Sequence, residues 1–493
     1  MENVTGRVVR SVKVTFVATI ISGLSQLVFL VVLARLLDPV DYGVFALVSA
    51  VSALTTGLVA GAIERALVVE AGEPDFQGSV GVVGGIALCS ALLVVTGAHL
   101  LNLAGITEVH LGALGLMLLS AVISGAALIP RVIQRRRIRY GQIAAADIAG
   151  QLLGTGLVSI LLALSDFGVF ALVLGMLARS VIIAMVLFIG TPGSLIWPPA
   201  VGKLKQALPA TIQVTKISAL EVAYGRIPIF VIGGVLGPST LGLFTRAFSL
   251  IQLPIELLTN SMSRVMISGL ATVAESEERL ARGMRNLTLI SNSLIAPMTG
   301  GMAASGTALV AVLLGEKWLE VAPVIPFLAL ATWAMMTAHL FAILAEAARR
   351  FREKLIIQII STSVLLPAVS IGALVSFEAA TLALGVSALL FLGLSLRLAS
   401  QILRITVAEI IGWLVPGLIG ASISAAWCLL AGHFLSDHPP AITLGAQIAG
   451  SGSLTLLYYA IAQRPLLASI LQLVIPRAAD KGETPPYPGP LEP

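Results

Sequence analysis

Long apolar runs, most of them 20 residues or more, follow one another along the chain and are separated by short charged or Gly/Pro-bearing breaks. A bilayer core about 30 Å thick takes roughly 20 helical residues to cross, and only helices or closed barrels satisfy their backbone there. The pattern predicts about fourteen spans, near 14–36, 42–68, 79–103, 109–130, 141–163, 167–190, 207–235, 240–268, 285–314, 321–347, 355–375, 379–397, 405–432 and 441–462. The ten-residue alternation of an outer-membrane barrel is missing. The fold class expected is therefore an all-α polytopic membrane protein. The first turn, Asp38-Pro39-Val40-Asp41, is short, with Asp38 suited to cap a helix and Pro39 to open it. Loops of this size hold no extracytoplasmic domain.

One segment recurs. Leu37-x-Pro39-x-x-x-Gly43-x-Phe45 returns as Leu236-x-Pro238-x-x-x-Gly242-x-Phe244, each position shifted by 199. The register carries on through Leu54 and Leu253, Leu58 and Leu257, and Arg65 and Arg264. Apolar coincidences mean little in such a composition, but a Pro, a Gly and an Arg in one ungapped register point to duplication. Six spans separate the copies, so both enter the membrane in the same orientation, as parallel repeats around an axis along the membrane normal. This predicts two six-helix bundles, 1–200 and 201–400, facing each other across a central cavity. Two further helices follow over 401–463, and a Pro-rich tail over 464–493.

Composition agrees with lipid as solvent: 57% of residues are hydrophobic and only 11% charged. Arg7, Arg10 and Lys13 precede an apolar run too long for a cleaved signal sequence, so the first span is expected to be retained. With the N-terminus in the cytoplasm, Arg131, Arg135, Arg136, Arg137, Arg139, Lys203, Lys205, Arg279, Arg282, Arg285, Arg349, Arg350, Arg352 and Lys354 fall inside and only Lys317 outside. That is the positive-inside asymmetry, and an even number of spans returns the C-terminus to the cytoplasm of an inner-membrane protein. The Arg135 and Arg350 clusters read as topology signals and anionic-lipid contacts, with no nucleic-acid role. Cys89 and Cys428 lie within apolar runs, which excludes a disulfide framework, and no metal or cofactor site is expected. Walker, nucleophile-elbow and zincin motifs are also missing, so enzymatic activity is not expected.

The informative charges are those inside spans: Arg35, Arg65, Arg179, Lys216, Arg226, Arg246 and Arg264 against Glu64, Asp147, Glu221 and Glu256. Each costs several kcal/mol in mid-membrane unless it is paired or meets water. The positive excess predicts a hydrated cavity that accepts an anionic group. Arg35, Arg65 and Arg264 lie near span ends and can equally snorkel to the headgroups, whereas Arg179, Lys216 and Arg226 are deeper. Arg246 and Arg264 are 18 residues apart, five helical turns, and so share one face about 27 Å apart. Asp147 and Arg179 are expected to form a structural ion pair, lone His339 to be a packing residue, and Glu221 to be the site of ion coupling.

Several segments together resemble the polysaccharide transporters, lipid-linked oligosaccharide flippases, of the multidrug/oligosaccharidyl-lipid/polysaccharide exporter superfamily. They are Leu33 to Phe45, Leu236 to Ala247 with Leu253-Pro254, Leu314-Gly-Glu-Lys-Trp-Leu-Glu-Val-Ala-Pro323, and Gln134-Arg135-Arg136. The resemblance implies a V-shaped pair of bundles and a polyprenyl-pyrophosphate-linked oligosaccharide as substrate, with membrane lipids and polysaccharide polymerase and export machinery as partners. A pyrophosphate is an anion that arginines in a cavity would neutralise. Three rivals stay open: a peptidoglycan-precursor flippase, a multidrug or cation antiporter, and a membrane polysaccharide polymerase or ligase. The antiporter would favour embedded carboxylates and aromatics, and the enzyme a large outer loop.

Overall fold

A computed structural model describes residues 2–53, four positions between 92 and 99, and residues 111–137, 139–191, 201–273 and 277–464, with side chains described over most of these. Every regular element among them is helical. In chain order they are α1 (Glu2–Leu36), α2 (Pro39–Ala53), α3 (Leu111–Arg136), α4 (Tyr140–Leu164), α5 (Val169–Ile189), α6 (201–236), α7 (238–273), α8 (Glu277–Ala304), α9 (Gly306–Leu313), α10 (Ile325–Ala347), α11 (Phe351–Val375), α12 (Phe377–Leu403), α13 (Val407–Phe434) and α14 (Pro440–Ala462). A 3-10 turn, Glu316–Val324, leads into α10.

Among the described residues nine helical stretches are long and apolar enough to cross a membrane, or ten with the bent pair α8–α9. The expected all-helical, multi-span architecture is borne out, with nine or ten of the fourteen predicted spans' worth of helix counted among the described residues. All but four positions of the third predicted span, and the far half of the second, lie outside the described residues. The last, α14, is helical but falls below the other nine in hydropathy. Outward faces are apolar, as at Val28, Ile189, Leu374 and Leu457, which is the surface a lipid solvent selects.

Three details differ from the sequence reading. The predicted span 285–314 is bent by 83° between α8 and α9 at Ser305. Arg131 and Arg135, expected in a loop, continue α3, and Lys354 lies in the first turn of α11. Asp147 pairs with Arg131 at 2.7 Å, not with Arg179 as expected, because the two carboxylate oxygens take both guanidinium nitrogens of the residue on α3.

The duplicated segment turns the chain between two helices in each copy, with positive φ at Gly237 and not at its equivalent, Asp38. The chain turns at Leu37-Asp38 between α1 and α2, and at Gly237 between α6 and α7. Gly237 has φ 87° and ψ 172°, a region open essentially to glycine alone. An added Cβ there would meet nothing within 4 Å, so the constraint is purely backbone. Gly237→Ala is expected to destabilise the protein by about 1–3 kcal/mol, read as a lower thermal midpoint in detergent, with Gly234→Ala, equally open in space, as the control.

Helices α13 and α14, outside the duplication, dock on the C-terminal half. Asn292 on α8 donates to the Leu414 carbonyl at 2.7 Å and accepts from Trp333 Nε1 at 2.9 Å, while Tyr459 donates to the Ser293 carbonyl at 2.9 Å. Cys428 is a buried free thiol within this packing.

Candidate functional site

Where the two turns meet, the halves are clasped. Gly43 on α2 lies so close to α7 that a Cβ on it would stand 1.7 Å from the Pro238 carbonyl oxygen, and a Cβ on Gly242 would stand 1.7 Å from that of Pro39. Each copy of the repeated Pro-x-x-x-Gly segment thus packs its glycine on the other copy's proline, a reciprocal contact around a pseudo-twofold axis. Small residues allow backbones this approach. Around it, Lys317 donates to the Leu37 carbonyl at 2.7 Å and to Asp38 Oδ1 at 3.2 Å. Trp318 donates through Nε1 to the Ala34 carbonyl at 2.9 Å. Arg35 donates to the Val312 carbonyl at 2.6 Å, at the C-terminal end of α9 where a cation also complements the helix dipole.

Beneath the clasp lies a cavity of about 420 Å³ between α2 of the first half and α6, α7, α10, α11 and α12 of the second. Its charged wall residues are Arg226, Arg246 and Glu221. Arg246 sits eight residues beyond Pro238 and Arg226 eleven before Gly237, about 12 Å and about 16 Å from the turn along their helices. In a core about 30 Å thick that is near the middle. Among the described residues no carboxylate pairs with either arginine. The guanidinium of Arg246 lies 3.9 Å over the ring of Tyr42, and its Nε is buried without a hydrogen-bond partner. Tyr42 Oη, Ser49 Oγ and Tyr224 Oη, all from cavity-lining residues, are likewise buried and unpartnered. Two cations and several unused polar groups thus face one apolar-walled cavity, a set of donors chemically able to accept a polar anion.

Glu221, at the cavity end away from the clasp, is not a free carboxylate. Lys354 Nζ bonds it at 2.7 Å and Glu346 at 2.5 Å, joining α6, α10 and α11. The ammonium is buried and both carboxylates are partly exposed. Lys354→Met would leave two acids facing each other. It is expected to cost about 2 kcal/mol, below the roughly 3–5 kcal/mol of a fully buried pair, and Glu221→Gln less, because Lys354 keeps Glu346; denaturation midpoints check both. His339, expected as a packing residue, is exposed and within electrostatic reach of all three charges.

Of the seven cations expected to form the site, the four whose side chains are described are dispersed. Arg226 and Arg246 meet at the cavity. Arg35 belongs to the clasp. Arg179 lies inside the first bundle, its backbone against Gly154 of α4 where a Cβ would come within 2.3 Å, and its side chain along Gly150. Arg65 lies outside the described residues, as do the side chains of Lys216 and Arg264 on α6 and α7. The expected Arg246–Arg264 ladder therefore keeps one described rung. Sequence reading missed Tyr42, Trp318 and Lys354 as partners. Lys317 carried a signal, as the one cation assigned to an outer loop. Among the described residues no cluster of His, Cys, Asp and Glu could hold a metal ion.

Comparison with known proteins gives concordant results. Residues 32–323, more than half of the chain, match a family described as polysaccharide biosynthesis protein. A succinoglycan biosynthesis transport protein, ExoT, of Rhizobium meliloti (strain 1021) is 25% identical over 309 residues, which are 61% of this chain and 61% of that protein. Among solved structures, a lipid II flippase, MurJ, in an inward closed conformation superposes with TM-score 0.72 at 13% identity, over 90% of this chain and 98% of that one. An inward-facing MATE family multidrug resistance transporter of the MOP superfamily gives 0.54 at 15% identity, over 78% and 94%. At these identities the structural matches establish the fold.

Proposed function

The chain belongs to the polysaccharide biosynthesis protein family, and from that premise we propose that it is a flippase carrying a polyprenyl-pyrophosphate-linked oligosaccharide across the inner membrane for surface or exopolysaccharide synthesis. The observation that carries the reading is the pair Arg226 and Arg246, without a carboxylate partner among the described residues, in a cavity between the two halves. Cations near the middle of a membrane are stable only against water or a bound anion, and a planar guanidinium matches phosphate oxygens two at a time. A volume of about 420 Å³ lies within the range of small-molecule sites. It holds a charged headgroup and leaves the polyprenyl chain to the lipid.

In this reading the clasped end faces away from the cytoplasm, as the positive-inside asymmetry requires. The headgroup enters from the cytoplasmic side, neutralises the arginines, and reaches the other leaflet when the clasp parts and the far end closes. The closed state rests on contacts at the turns, so exchange needs two rigid halves to rock about the reciprocal glycines. We also propose that Glu221 couples this movement to an ion. Its protonation would release Lys354 to Glu346 alone and loosen α6 from α11.

The family and its succinoglycan relative favour a surface-polysaccharide substrate over the lipid II of the structural match. The arginines disfavour a cationic drug. The test is to delete the gene and measure polyprenyl-pyrophosphate oligosaccharide in each leaflet with an impermeant glycan label. Accumulation confined to the cytoplasmic leaflet is expected. Intermediates that reach the outer leaflet and stop there unpolymerised would overturn the reading in favour of an enzyme.

A further inference from the structure

The roof of the cavity and the core of the clasp share one side chain. Tyr42 is 1% exposed; one face of its ring carries the guanidinium of Arg246 at 3.9 Å, and the ring meets Trp318 edge-to-face with centroids 5.6 Å apart. Trp318 is fully buried and bonds the Ala34 carbonyl across the two halves. A line of contact therefore runs from the cavity cation on the second half, through an aromatic ring on the first, to the turn of the second half that closes the molecule. The other polar ties, from Lys317 to Asp38 and the Leu37 carbonyl and from Arg35 to the Val312 carbonyl, are at least partly exposed, and the ion pair contributes little by itself. The aromatic stack is the buried part of the closure.

The stack also leaves Arg246 short of partners. A ring face satisfies the charge of a guanidinium without accepting its N–H groups in the plane, and Nε here has no acceptor. A diphosphate offers charged oxygens to that same edge, in bidentate, charge-assisted hydrogen bonds stronger than a cation–π contact. Ring and anion then compete for one cation.

We propose that Tyr42 is a positioning residue that holds Arg246 while the cavity is empty and yields it to the arriving anion, and that this exchange frees Tyr42 from Trp318 and loosens the clasp. The inference rests on the reading of the cavity as an anionic-headgroup site and adds to it the residue through which occupancy reaches the far end. It also explains why the closed end sits directly on the receptor. An empty transporter stays shut, and a loaded one does not.

The experiment uses the full-length protein in phosphatidylcholine nanodiscs, with Cys89 and Cys428 replaced by alanine and spin labels at Val40→Cys and Leu319→Cys, which are exposed on opposite sides of the clasp. Farnesyl diphosphate is the probe, and both its affinity and the label separation are measured. In the otherwise unaltered protein the labels are expected to move apart on saturation. Tyr42→Leu should show them apart without ligand and bind the probe roughly two- to thirtyfold more tightly, because the arginine no longer has to leave the ring. Tyr42→Phe keeps the ring face and should behave as the unaltered protein. A merely structural role for Tyr42 would weaken binding on substitution; weaker or unchanged affinity in Tyr42→Leu overturns the relay. Binding with stationary labels in the unaltered protein overturns the relay alone, and needs no variant to fold. A complete lack of binding overturns both the relay and the anionic-headgroup site.

Discussion

Gly43→Leu is expected to abolish transport and to leave a folded protein whose clasped end stands open. A Cβ at this position would lie 1.7 Å from the Pro238 carbonyl oxygen, and the opposing atom is backbone, so no rotamer change relieves the overlap. The helices α2 and α7 must separate instead. Overpacking a core costs roughly 1–3 kcal/mol where side chains can adjust; here the whole turn has to move, so the closed state should lose more, a shift of at least about a hundredfold in its population. Gly242→Leu should do the same from the other half, because the contact is reciprocal. Gly234→Leu, with open space around it, should not. Labelling of Ala34→Cys, buried in the closed clasp beside Trp318, by an impermeant maleimide reads the outcome: fast in the first two backgrounds, slow in the control. Slow labelling in Gly43→Leu, with transport intact, would remove the reciprocal contact from the account of closure.

The second large effect belongs to the cavity. Arg246→Ala and Arg226→Ala are each expected to lower flipping by roughly ten- to a hundredfold or more, from the about 1.5–3 kcal/mol of a hydrogen bond to a charged group. The double variant should retain no measurable activity. Arg246→Lys keeps the charge and loses the fork, so an intermediate rate is expected. Leaflet-resolved accumulation of the lipid-linked oligosaccharide measures this in cells, and farnesyl diphosphate binding measures it on the purified protein. A double variant that flips at the normal rate would mean the two arginines serve packing alone.

Much of this organisation is readable from the chain. Spanning helices follow from run length, because lipid offers the backbone no other partner. The duplication is read from one Pro, one Gly and one Arg held at a spacing of 199, and the chain turns between two helices in each copy, at Leu37-Asp38 and at Gly237. That a cavity with cations lies between the halves follows from the cost of leaving seven basic side chains in hydrocarbon. Arg226 and Arg246 were legible as members of that set.

The choice among the seven was not legible, and neither were the partners. Arg35 and Arg226 look alike in sequence, each a cation in an apolar run, yet one ties the Val312 carbonyl and the other lines the cavity. Asp147 had two cations within reach, and helix packing gave it to Arg131. Lys354, a topology signal in one dimension, ties Glu221 to Glu346 in three. Hydropathy and periodicity are one-dimensional sums over neighbours, so by itself the sequence determined that the chain is an all-helical multi-span membrane protein, that one segment recurs, and that the charge within its apolar runs is mainly positive. Pairing is a contact between segments that lie as much as 284 residues apart along the chain, as between Ala34 and Trp318. Only the tertiary structure decided which cations have a carboxylate or carbonyl partner, which line the cavity without one, and that Tyr42 stands between the cavity and the clasp, because each of those outcomes depends on which side chain meets a partner when the helices pack.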